Sequence, residues 1–339
     1  MTKLERLIQE LCPGGVEKKE LSEVLIIKNG KDYKSLNEGE YPVYGSGGIM
    51  TYVDTYCYDK PSVLIPRKGS IDKLYYVETP FWNVDTIFYT EINTSIVIPK
   101  YIYYCLQSLH LESLNTAGGV PSLTQSVLKK VKIPVPPLEV QAEIVKILDN
   151  FTELTAELTA RKKQYEYYRN KLLSFNNAVN IMPLSNIAKV FRGEYITKKG
   201  SVIGDIPVIL GGQEPAYYIN KSNHEGEIVV VSRSGASAGF VSYWDEPIFL
   251  TDGFGFEAKE DVAIPKYIYY ILKRKEKELN AMKRGAGVPH VSGELLSKVE
   301  LPIPSIETQK RLIKVLDNFE AICSDLNIGL PAEIEARQK

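Results

Sequence analysis

The heptapeptide IPKYIYY occurs twice, at Ile98 and at Ile264, an offset of 264 − 98 = 166 residues in a chain of 339. No other feature constrains the fold as strongly, because seven consecutive residues do not recur by chance and the period far exceeds that of a solenoid unit. Each copy is long enough to be a domain. The repeat extends further. GGVPSLTQSVLKKVKIPVPPLEVQAEIVKILDNF from Gly118 is matched by GAGVPHVSGELLSKVELPIPSIETQKRLIKVLDNF from Gly285, and VLIPRKGS from Val63 lies over VVVSRSGA from Val229. Val120-Pro121 pairs with Val288-Pro289, Arg67 with Arg233 and Gly69 with Gly235. Between these landmarks the halves diverge, as expected of a duplicated frame whose loops serve two different ligands, neutral drift being the competing reading.

The pattern within each half predicts an α+β domain. Short strand-like runs punctuated by Gly and Pro, as in YPVYGSGGIMTYVD, lead to the short helix PKYIYYCLQSL, a Gly-Gly turn and a second short helix at LTQSVLKKV. Pro136 and Pro137 then stand where a helix starts. From Leu138 to about Phe175 the apolar residues Ile144, Ile147, Phe151, Leu154, Leu158, Tyr165, Tyr168 and Leu172 alternate three and four apart, with Leu148 beside them. That is a coiled-coil seam, failing only at Arg161. The second half offers Leu312, Leu316, Phe319, Cys323 and Leu326 before Gly329 and Pro331 interrupt. Two such stripes most simply pack on each other as an antiparallel coiled coil. The expected division is 1–137 for an N-terminal helix and first domain, 138–177 for a central helical spacer, 178–304 for a second domain and 305–339 for a C-terminal helical segment.

Composition excludes more than it identifies. With 44% hydrophobic and 24% charged residues the chain is of an ordinary globular kind, and its longest aliphatic runs, VLII from Val24 and IVVV from Ile228, are strand-sized. The N-terminus reads as a short amphipathic helix carrying Leu4, Leu7, Ile8 and Leu11 on one face, too charged for a signal peptide. Cys12, Cys57, Cys105 and Cys323 are scattered without metal-ligand spacing, which suits small buried hydrophobes in a reducing cytoplasm. Lys plus Arg number 41 against 42 Asp plus Glu, so net charge alone does not call for a polyanion; any nucleic-acid surface must be local.

Catalytic signatures are missing: no phosphate loop, no H-E-x-x-H, no G-x-S-x-G and no N-P-P-[YF]. TDGFGFEAK offers Asp252, Glu257 and Lys259, residue types with which nucleases hold Mg²⁺, but the spacing is tight and the first half has no equivalent. The same segment does not open a helix, so it lacks the context of a nucleotide loop. Two basic runs remain, RKKQYEYYRNK from Arg161 and LKRKEKELNAMKR from Leu272, to be weighed as solvated helix faces or phosphate contacts.

Two divergent halves, each closed by IPxPxxExQ and a helix ending in LDNF, resemble the specificity subunits of type I restriction and modification enzymes, and the resemblance covers essentially the whole chain. It is strongest in KIPVPPLEVQAEIVKILDNFTELTAELTARKKQYEYYRNKLLSF, with its TAEL repeat, and in ELPIPSIETQKRLIKVLDNF; VLIPRKGSIDKLYYVETPFWNVDT is similar to a stretch of that family's target recognition domains. The pattern departs at Val140, where another Glu is common, at PIPS in the second half, and at EIEARQK, where the counterpart ELTARKK continues, which predicts a truncated second helix.

The resemblance implies a cytoplasmic, non-catalytic subunit in which residues 16–137 and 178–304 each read half of a split double-stranded DNA target. It implies two methyltransferase subunits using S-adenosylmethionine on adenine, and restriction subunits using ATP and Mg²⁺, with no cofactor or metal in this chain and no membrane partner. The rival classes are a nuclease or modification enzyme with its own site near Asp252 and a tandem adaptor binding protein. On the residues, Arg67, Lys68 and Ser70 in the first half and Arg233 and Ser234 in the second stand in Gly-containing turns directly after a strand, where Arg can offer a bidentate fork to phosphate or base. Lys283, Arg284 and His290 flank GAGVP before a helix start, where the first half has Asn115, Thr116 and Ser122. Ion pairs that stabilise the fold are the competing reading of these arginines.

Overall fold

The computed structural model describes residues 1–115, 119–175, 179–211, 214–285 and 289–324. It divides into two compact units, Met1–Glu153 and Leu154–Lys339.

In the first unit a four-stranded antiparallel sheet runs in the order Leu25–Asn29, Ile87–Ile92, Ser62–Pro66, Tyr75–Val77. A three-stranded sheet joins Gly48–Val53, Glu38–Gly45 and the short parallel strand Trp82–Asn83. A two-stranded ladder pairs Lys18–Glu20 with Lys132–Pro134. The second unit has the same three sheets in the same order: Ala188–Arg192, Gly253–Ala258, Ile228–Ser232, Val241–Trp244; then Tyr217–Ile219, Ile206–Ile209, Phe249–Leu250; then Asn180–Pro183 with Glu300–Ile303. The duplication seen in the sequence is therefore a duplication of topology. Both aliphatic strands that lead into the arginine landmarks, Ser62–Pro66 and Ile228–Ser232, are buried along their whole length. The helices Pro99–Ser108 and Pro265–Arg274 pack on them, which is why these strands read as unbroken apolar runs.

The helix Leu138–Leu172 is continuous over 35 residues, about 52 Å at 1.5 Å per residue. Its seam has Leu154 buried and Ile144, Leu148, Phe151, Leu158 and Tyr165 half-buried. In the second unit Tyr168 stacks on Phe319 of the helix Ile306–Ser324 at 6.1 Å, and Tyr165, Leu312 and the buried Leu316 join one core. The seam shifts at its end. Leu172, expected on the apolar face, is 36% exposed, whereas Leu173 is fully buried, because the helix stops there and the chain turns inward. Leu326, Gly329 and Pro331 lie outside the described residues.

The repeated heptapeptide has a specific use. Tyr101 Oη donates to Pro134 O at 3.0 Å, and Tyr267 Oη to Pro302 O at 2.7 Å, tying the short helix to the IPxP strand. Lys100 Nζ lies 3.0 Å from Asp149 Oδ2 and Lys266 Nζ 3.1 Å from Asp317 Oδ1, while the hydroxyls of Tyr104 and Tyr270 donate to the same carboxylates. Asp149 and Asp317 are the Asp of each LDNF. Burial, then the bond to the carboxylate, pushes both phenols up, and the bond to Asp149 raises Lys100, so these donors keep their protons near neutral pH.

The Gln of each motif, IPxPxxExQ in the first half and LPxPxxExQ in the second, completes the joint. Fully buried Gln141 donates from Nε2 to Ile96 O and Pro136 O at 3.0 and 2.7 Å and accepts from Ile98 N at 2.9 Å. Gln309 donates to Val262 O and Pro304 O at 3.1 and 2.9 Å and accepts from Ile264 N at 2.9 Å. Val140, where the family pattern often has Glu, is 1% exposed, so an apolar residue suits the position here. Replacing Gln141 with Ala leaves three main-chain groups unpaired and lowers stability by about 1–3 kcal/mol. Chemical denaturation of the full chain checks this, and an unchanged midpoint would contradict the assigned bonding.

Candidate nucleic-acid interface

In each unit the turn after the buried strand meets the loop before the second short helix, although about 55 residues separate them in sequence (121 − 67 = 54 and 289 − 233 = 56). In the first, Gly69 N donates to Pro121 O at 3.1 Å, Leu123 N donates to Arg67 O at 2.9 Å, and Lys68 bridges Ser122. In the second, Gly235 N donates to Pro289 O at 3.1 Å, Val291 N to Arg233 O at 2.8 Å, and Ser234 bridges His290. Arg67 N and Arg233 N donate to Thr86 O and Asp252 O at 2.8 and 3.2 Å. The glycines adopt φ of +83° and +75°, the left-handed region, and so let the turn close under the loop. The main-chain frame is thus the same twice.

The side chains on that frame differ. Arg67 lies 5.8 Å from the Phe88 ring centroid, and among the described residues no carboxylate pairs with it. Arg233 Nη1 lies 3.7 Å from Asp252 Oδ1, and the Ser234 hydroxyl donates to the other carboxylate oxygen. The reading of these arginines as ion-pair formers therefore applies to one unit of the two, and there to a long, partly exposed pair that contributes little to stability. Lys68, Arg284 and His290 are exposed, while Ser70 and Lys283 are half-buried. Arg284 and His290 exchange two main-chain bonds of 3.0 Å, which brings both beside Ser234. The structure accordingly brings together Arg67, Lys68 and Ser70 in one unit, and Arg233, Ser234, Arg284 and His290, with Lys283 adjacent in sequence, in the other.

Three expectations need adjustment. The helices after these loops, Gln125–Lys129 and Gly293–Ser297, have five residues each, too short for a helix terminus to serve as an anion site, so charge must come from side chains. Asp252, Glu257 and Lys259 do not converge: Asp252 holds the Arg233 turn, Glu257 faces His224 Nδ1 at 3.4 Å, and Lys259 Nζ donates to Ser185 O and Asn186 O. Of the run from Leu272, Lys273 binds Glu276 and covers the Phe240 ring, Arg274 donates to Leu173 O, and Lys275 binds Glu278. Half of that run holds the fold. Arg161 likewise pairs with Glu157. Thr116, Ala117, Gly118, Ala286, Gly287 and Val288 lie outside the described residues.

A third loop, which the residue pattern did not single out, joins the face. Gly69 faces Ser46 Oγ of the turn in YGSGG, Ser46 O accepts from Tyr75 Oη at 3.2 Å, and burial, then Asp72, pushes that phenol up. Asn115 Oδ1 accepts from Ser122 N at 3.0 Å. The glycine-rich turn between two strands was the available signal. Among the described residues no helix is long and apolar enough to cross a membrane.

Comparison with known proteins agrees with this architecture. The family described as type I restriction modification DNA specificity domain matches twice, over residues 13–165 and 176–336. The specificity subunit of the type I restriction enzyme EcoR124I/EcoR124II of Escherichia coli is 30% identical over 283 residues, covering 74% of this chain and 70% of that protein. A Haemophilus influenzae protein assigned to the same subunit class is 30% identical over 370 aligned positions, 98% of this chain and 95% of its own length. The crystal structure of the type I restriction-modification S subunit from M. genitalium superposes with a TM-score of 0.72 at 19% identity, covering 95% and 92% of the two chains, a likeness of fold. The chain belongs to the type I restriction-modification specificity subunit family.

Proposed function

We propose that each unit reads one half of a bipartite double-stranded DNA target through the face built on this loop frame, and that the helices set the number of unread base pairs between the halves. The observation that carries this reading is the main-chain frame described above, present twice with the same hydrogen bonds and different side chains on it. Phosphate contacts position such a protein and base contacts specify its sequence, so an invariant frame with variable loops suits two distinct half-sites. Chemistry resides in partners: two methyltransferase subunits supplied with S-adenosylmethionine, and restriction subunits supplied with ATP and Mg²⁺. The assembly works in the cytoplasm.

Co-expression with the methyltransferase partner and methylome sequencing tests the reading. A split adenine-methylated sequence is expected, and no such methylation would overturn it. The charge difference between faces gives a second test. Changing Lys283 and Arg284 together to Ala in the assembled complex lowers the slope of log affinity against log salt by about 2, whereas Lys68→Ala lowers it by about 1. DNA titrations at several salt concentrations measure both, and unaltered slopes would exclude these residues from phosphate contact.

A further inference from the structure

We propose that Asp149 and Asp317, each with its Lys and Tyr partners, are positioning residues that confine the complex to a single spacer length; the inference rests on the bipartite reading above. Each spacer helix is attached to its own domain at two places. Gln141 and Gln309 pin the first turn by three main-chain bonds each. Asp149 and Asp317 stand eight residues further on (149 − 141 = 317 − 309 = 8), about 12 Å along the axis. One attachment makes a pivot; two define a direction.

Direction matters because the helix is long. Over about 52 Å, a tilt of roughly 4° moves the far end by about 3.6 Å, close to the 3.4 Å rise per base pair along one strand. A helix of fixed length therefore measures one spacer only if its joint is held to within a few degrees.

The chemistry of the second attachment suits this task better than it suits stability. Asp149 and Asp317 are each 37% exposed and their lysines 34% and 32% exposed, so the ion pairs contribute little to folding free energy. Yet the two halves, divergent over much of their length, carry the same Lys, Tyr and Asp in this connection. A directional phenol bond and a charge converge on one carboxylate in each, which restrains orientation with little burial.

The test uses the full chain assembled with its methyltransferase partner. The substrate is a library carrying both native half-sequences with the native spacer and with one base pair more or fewer. Wild type methylates the native spacer. Asp149→Ala and Asp317→Ala are expected to raise methylation at the off-length spacers, relative to the native one, by about tenfold. Asp149→Asn, which keeps an acceptor for Tyr104, restores part of the selectivity. Tyr104→Phe removes a single hydroxyl and shows the same broadening in a smaller degree, so the question stays answerable if the alanine variants fold poorly. Unchanged spacer selectivity, or equal loss at every spacer, overturns the proposal while leaving the bipartite reading intact. No methylation by wild type at any spacer of the library overturns both.

Discussion

Arg67→Ala is expected to weaken DNA binding by the assembled complex by roughly 5- to 150-fold, the range of a lost bidentate contact worth about 1–3 kcal/mol. The expectation comes from what surrounds the guanidinium: a buried strand behind it, a glycine-supported turn under it, an aromatic ring at 5.8 Å and, among the described residues, no carboxylate claiming its donors. The fold has little use for this side chain, so truncation should leave thermal stability nearly untouched. Arg233→Ala differs in kind, since it leaves Asp252 with Ser234 alone, a carboxylate facing the polyanion. Its loss should therefore exceed that of Arg67→Ala, and Asp252→Asn in the same chain should recover part of it. Fluorescence anisotropy with a duplex carrying the methylome-derived target measures the four affinities. Methylome sequencing separates base reading, which relaxes one position in one half-site, from phosphate contact, which weakens all targets alike. Wild-type affinity of both arginine variants would remove these turns from the interface.

Insertion of a further TAEL into TELTAELTAR, Thr152–Arg161, is expected to move the methylated target to a spacer one or two base pairs longer, with both half-sequences retained. Four residues advance the helix by about 6 Å and rotate its distal part by about 40°. The local structure accommodates the change: the segment lies inside the continuous helix, Arg161 pairs with Glu157 one turn back, and Leu154 and Leu158 occupy the seam at the same four-residue interval. Good helix formers alone would tolerate an insertion without altering the target. An unchanged spacer, or new half-sequences, would show that this helix does not measure the DNA. Insertion displaces the preferred spacer, whereas loosening Asp149 broadens the preference around it, so the two experiments report on length and direction separately.

Much of this arrangement was legible in the residues, and the remainder was hidden for physical reasons. Two α+β units and a long seam helix follow from the repeat, from apolar runs of strand length and from alternation three and four residues apart. The meaning of IPKYIYY was not legible, because Lys100 and Tyr104 find their partner 49 and 45 residues away, and no local periodicity reports such a meeting. The shift from Leu172 to Leu173 escaped for the opposite reason: periodicity extrapolates past the point where the helix ends. At the candidate interface, the turns at Arg67 and Arg233 were visible as glycine-flanked landmarks. The main-chain clamp from Pro121 and Pro289 was not, because it depends on carbonyl positions and not on residue type. Asp252 could be noticed only as a possible metal ligand until its neighbours were known.

The joint has one more consequence. Its principal side chains are residue types that the two halves share: Lys, Tyr and Tyr in the heptapeptide, Gln and Asp in the helix, with a Pro carbonyl in the strand. A first-half strand frame spliced within IPKYIYY to the second half would keep its own Arg67 turn, take the loop at Pro289 from the second half, and find in Gln309 and Asp317 the same fittings that Gln141 and Asp149 provide. The heptapeptide is therefore a standard coupling, and because it is also a stretch of repeated sequence, it marks where such a chain can be cut and rejoined without redesigning the mount.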